Sequence, residues 1–95
     1  DDDANSLFMD ESSDPAVYRE RQEVLHMIQA GISALPVEQR ITLVLVDVWG
    51  LDYRTVSDVI GSPVGTVRSR LARARSKLRG YLRQQGELLP LEFRL

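Results

Sequence analysis

The chain of 95 residues has no cysteine, one histidine, one tryptophan and only 6% aromatic residues. Without thiols there are no disulfides, cysteine nucleophiles or thiolate metal sites, and their absence agrees with a reducing cytoplasm as the expected location. His26 has no cysteine or carboxylate cluster to join, so neither a metal site nor a Ser-His-Asp set is expected. No nucleophile–base pair and no phosphate loop stand out, which argues against an enzyme and against any cofactor. No apolar run approaches the ~20 residues that a membrane helix needs, so no membrane association is expected. No signal-peptide pattern opens the chain, which begins on Asp1 and reads as a fragment of a longer protein. A chain of this size makes one small domain with a marginal core.

Acids are missing from one stretch in particular. The formal charge of −2 averages two unlike parts. Residues 1–23 hold eight acids and two bases, whereas residues 24–95 hold ten bases and six acids. Between positions 68 and 83 lie Arg68, Arg70, Arg73, Arg75, Lys77, Arg79 and Arg83 with no acid among them. An uninterrupted basic stripe is the electrostatic footprint of nucleic-acid binding, although many such stripes are only solvated helix faces.

What is present reads as helix throughout, with no strand signal and no internal repeat. Residues 1–13 are acidic and small, and are expected to form a flexible, disordered linker. Asp14 followed by Pro15 is a helix start, since Asp caps free amides and Pro suits the first helical position. Val17, Arg21, Val24, Ile28, Ile32 and Leu35 then recur at three- and four-residue steps, which predicts an amphipathic first helix. Residues 37–48 are apolar almost all round and predict a buried second helix, broken by Gly50. Asp52 predicts the cap of a short third helix over 53–60, with Val56, Val59 and Ile60 facing inward. Gly61 stops that helix, and Ser62 with Pro63 predicts a cap and first residue for a fourth, reaching about Arg83. The expected fold is all-α, a four-helix bundle with its domain over 14–83, a helix-turn-helix motif over 53–83 and a tail over 84–95.

Two helices joined by a three-residue, glycine-containing turn form a helix-turn-helix, whose second helix enters the DNA major groove. Wound at about 100° per residue, the fourth helix gathers Val64, Val67, Leu71, Ala74, Leu78 and Leu82 into one stripe. Thr66, Ser69, Arg73 and Ser76 fall opposite, flanked by Arg70 and Lys77 on one side and by Arg68, Ala72 and Arg79 on the other. Arginine can grip the O6 and N7 of guanine, and hydroxyls can reach bases or phosphates. Small Ser69 and Ala72 permit close approach, and the amides near Val64 and Gly65 can take a phosphate. Arg75 lies beside the apolar stripe, where snorkelling or internal pairing is expected.

Residues 65–75, GTVRSRLARAR, resemble the GTVKSRLxRAR signature of region 4 in the extracytoplasmic-function sigma factors of bacterial RNA polymerase. Leu35, Pro36, Arg40, Gly50, Leu51, Tyr53 and Gly61 fall on the upstream LP…R…GLSYEEIAxxLG pattern of that family. Arg54 and Thr55 stand where it usually has two acids, and Ser57 where it usually has alanine. The resemblance implies a domain that reads the −35 element of promoter DNA, docks on the flap of the RNA polymerase β subunit and is commonly covered by an anti-sigma factor. It implies Arg68, Ser69, Ala72 and Arg73 as base-reading residues. Arg54, Thr55, Thr66, Arg70 and Lys77 follow as phosphate contacts. Region 2 of such a factor, which reads the −10 element, is not in this sequence.

Other readings stay open beside this one. Response-regulator output domains share the layout but carry a TVKxHxxxI pattern that this chain lacks. A protein-interaction module without DNA binding of its own would use Trp49 and the apolar tail of Leu88, Leu89, Leu91, Phe93 and Leu95. Tyr53 is expected to pack against helices and not to stack on a base. Trp49 either joins the core or meets a partner.

Overall fold

A computed structural model describes residues 14–86. They form α1 (Pro15–Ser33), α2 (Val37–Leu43, continued by a π-helical turn over Val44–Val48), α3 (Tyr53–Ile60) and α4 (Val64–Gln84), with no strand among the described residues. The predicted linker and residues 87–95 of the tail lie outside the described residues.

Local chemistry sets most of the boundaries. The Asp14 carboxylate accepts the Ala16 amide at 2.9 Å, and Pro15 occupies the first turn of α1 as expected. Asp52 accepts the Thr55 amide at 2.8 Å and so caps α3. The Thr55 amide, helped by the Thr55 hydroxyl, holds the Asp52 carboxyl below its ordinary pKa. Gly61 ends α3 in the left-handed region at φ 69°, where a side chain is strained. Ser57 donates its hydroxyl to the Ser62 carbonyl and closes the same turn. The start of α4 differs from expectation. Pro63, at φ −60° and ψ 154°, takes the cap position itself, and Val64 is the first helical residue. The Pro63 carbonyl accepts the amides of Thr66 and Val67, while no side chain caps this helix.

The core lies along α4. Leu35, Leu43, Leu71 and Ala74 are buried together, with Ile32, Val46, Tyr53 and Leu78 packed against them. Val56 and Val67 are fully buried as well. Burial of each such leucine or valine contributes about 1.5–3 kcal/mol. Gly31 lets α1 approach α4 closely: a Cβ there would meet Leu78 Cδ1 at 2.7 Å and the Tyr81 ring at 2.8 Å.

Two expectations of burial fail. The second helix is not buried all round, since Ile41 is 44% and Val48 61% exposed. Only Thr42 and Leu43 of its first segment are buried, and Thr42 donates its hydroxyl to the Glu38 carbonyl at 2.8 Å. So small a bundle has no second layer to cover the other side. Val59 is 63% exposed, not inward. On α3 it sits roughly 100° round from Ile60, past the edge of the surface that α4 covers.

Candidate nucleic-acid interface

Gly61, Ser62 and Pro63 separate α3 from α4, so the two helices make the expected helix-turn-helix, with α4 as its second helix. Val67, Leu71 and Ala74 point α4 into the core, and this fixes which residues point out. Arg68, Ser69, Ala72, Arg73, Ser76 and Arg79 are exposed, and α4 carries no acid along its 21 residues. The four expected base-reading residues, Arg68, Ser69, Ala72 and Arg73, therefore share one open face. Ser69 donates its hydroxyl to the Thr66 carbonyl at 3.1 Å, which leaves its oxygen lone pairs outward. Arg68 stacks over the Tyr53 ring, its guanidinium carbon 5.7 Å from the ring centre. Tyr53 is half-buried against the core, so the expectation of packing holds for it.

The five expected phosphate contacts are more scattered. Arg54 and Thr55 are exposed at the start of α3, and Thr66 is half-buried in the first turn of α4. Lys77 is exposed, but it lines a groove with Gly31, Ala34 and Tyr81 towards the end of α1. Arg70 turns away from the open face to pair with Glu38 of α2 at 3.6 Å. There it lines an apolar hollow with Ile41, Thr42, Val59 and Ile60. No sequence pattern signals that pair, because Glu38 and Arg70 are brought together only by the packing of α2 on α4.

Arg75 behaves as its position beside the stripe requires. It makes two hydrogen bonds to Asp47, at 2.9 and 2.6 Å. The Arg75 bonds hold the Asp47 carboxyl below its ordinary range, and Asp47 in turn raises the pKa of Arg75. The π-helical turn places this acid. The Trp49 amide bonds to the Val44 carbonyl five positions back, at 2.9 Å, which widens the helix around Asp47. Trp49 itself is 68% exposed and stays out of the core.

A helix-turn-helix carrying an acid-free arginine and serine face narrows the choice of families, and comparison of the sequence decides it. The family model for "Sigma-70, region 4" matches residues 25–78. The chain belongs to this family. Curated relatives agree. The chain is 46% identical over 55 residues to the ECF RNA polymerase sigma factor SigE of Mycolicibacterium smegmatis, a match that covers 58% of this chain and 21% of that protein. It is 49% identical over 56 residues to the ECF RNA polymerase sigma factor SigC of Mycobacterium tuberculosis, covering 59% and 30%. To the ECF RNA polymerase sigma-E factor of Salmonella typhimurium it is 34% identical over 68 residues, covering 72% and 36%. The region 4 chain thus spans about a fifth to a third of the length of these relatives. Its matched segment runs from α1 through the motif and ends on Leu78, within the α4 stripe.

Proposed function

We propose that this region 4 chain is the promoter-reading part of an extracytoplasmic-function sigma factor and is not an enzyme. In this reading α4 enters the major groove of the −35 element. Arg68, Ser69, Ala72 and Arg73 contact base edges there, while Arg54, Thr55, Thr66, Arg70 and Lys77 hold phosphates on either side. The observation that carries it is the open α4 face of small and arginine residues, free of acids, on the second helix of the motif. For Arg70 to reach a phosphate it must leave Glu38, an exchange that costs little because Glu38 is 69% exposed. The expected partners are promoter DNA and RNA polymerase core through its β flap, with an anti-sigma factor as regulator. The expected place of action is the cytoplasm.

Arg73 gives the test, since it lies near the middle of the outward face. Arg73→Ala is expected to lower the preference for a −35 duplex over a scrambled one by about 1–3 kcal/mol, the value of a bidentate base contact. Competition binding with the two duplexes measures it, and an unchanged preference removes Arg73 from the reading set. One observation favours a second reading, a protein-interaction module without its own DNA binding. Val48 and Trp49 lie side by side, 61% and 68% exposed. That reading requires the chain to bind no duplex at any salt concentration.

A further inference from the structure

Tyr53 belongs to α3 but meets an arginine of α4. Its ring lies under Arg68, 5.7 Å from the guanidinium carbon. The ring has little freedom of its own. Tyr53 is the first residue of α3, directly after the Asp52 cap, and it packs against the cluster of Leu35, Leu43, Leu71 and Ala74. Arg68, by contrast, is an exposed side chain with many rotamers, and its freedom must be given up when it docks on a base. A fixed aromatic face beneath a mobile guanidinium removes part of that cost before DNA arrives.

We infer that Tyr53 is a positioning residue for Arg68, holding its guanidinium at the DNA-facing edge of α4 by ring contact alone. The inference rests on the proposal that Arg68 reads a base. It implies that sequence preference depends on a side chain that touches no base. Tyr53→Phe keeps the ring and removes the hydroxyl, whereas Tyr53→Leu keeps apolar bulk and removes the ring. Only the second is expected to matter.

The experiment uses the 95-residue chain and a duplex that it recovers from a randomised library. Tyr53→Leu is expected to weaken binding to this duplex about two- to fivefold, the range for an exposed cation–ring contact. Tyr53→Phe should leave affinity unchanged, and Tyr53→Leu should have no further effect once Arg68 is alanine. In the free chain, NMR should show the Arg68 side-chain protons shifted by the ring in the original and Phe forms, and unshifted in the Leu form. Thermal unfolding of each variant identifies a binding loss that comes from instability, because such a loss would persist in the Arg68→Ala background. Equal weakening in both backgrounds overturns the positioning role, as does tighter binding by Tyr53→Leu, which would make the ring a brake. If Arg68→Ala weakens binding and Tyr53→Leu does not, the positioning role fails while the DNA reading stands. If the original chain recovers no preferred duplex, the DNA reading fails and takes this inference with it.

Discussion

At the scale of single residues, two acids divide the arginines of α4 into different jobs. Asp47 engages Arg75 through both carboxylate oxygens, and Glu38 holds Arg70 more loosely. The Asp47 pair is partly exposed, with side chains 32% and 46% accessible, so solvent screening keeps its worth near that of a surface pair. Asp47→Asn is therefore expected to cost about 0.5–1 kcal/mol, measurable by urea unfolding at neutral pH. Its pH dependence follows from the sign of the shift. The folded pKa of Asp47 lies below its ordinary value of 3.8, so the stabilisation is present above that value and fades as pH falls through the lower, folded one. The difference between the original chain and Asp47→Asn should thus shrink on acidification below about pH 4. A difference that stays constant across that range would show that the lost stability comes from packing and not from charge. The sequence made the pairing of Arg75 legible, because the position sits beside the apolar stripe. It did not identify Asp47, since 28 positions and a turn of unusual pitch lie between the two.

Among the elements, α1, α3 and α4 were legible and α2 only in part. Asp14, Asp52 and Gly61 each act through neighbours within a few positions, so their caps can be read from the sequence order. The stripe on α4 could be read for a related reason: 21 residues hold nearly six turns, enough for a 3.6-residue period to stand out. The π-helical turn was not legible, because five mostly apolar residues look alike at any helical pitch. Val59 was misplaced because α3 is only eight residues long, too short for its period to fix the edge of the buried face. The docking of α1 on α4 depends on Gly31. Gly31→Val is expected to destabilise the chain by about 1–3 kcal/mol, through overpacking against Leu78 and the Tyr81 ring. A lowered melting temperature with an unchanged helical spectrum would bear this out. An unaltered melting temperature would mean that Leu78 and Tyr81 yield without cost.

For the whole molecule, the uneven charge matters more than the total of −2. A single motif with about four to six phosphate contacts should bind DNA with log K falling against log salt at a slope of about −4 to −5. Titration at several salt concentrations measures the slope, and a flat line would favour the protein-interaction reading. In the proposed complex Arg70 and Lys77 would leave their mark on the same plot, since each adds to the slope only if it swings onto a phosphate. The two sides of α4 carry a further consequence. Val67, Leu71 and Ala74 supply the buried contacts on which the other helices rest, while Ser69, Ala72 and Arg73 stand free of the core. On the proposed reading, scaffold and text are written on opposite faces of one helix, so the outward letters can be changed without touching the binding of the book. A protein engineer could replace those three residues to seek a new target sequence. Natural drift could do the same, and related domains would diverge in what they read while keeping one way of folding.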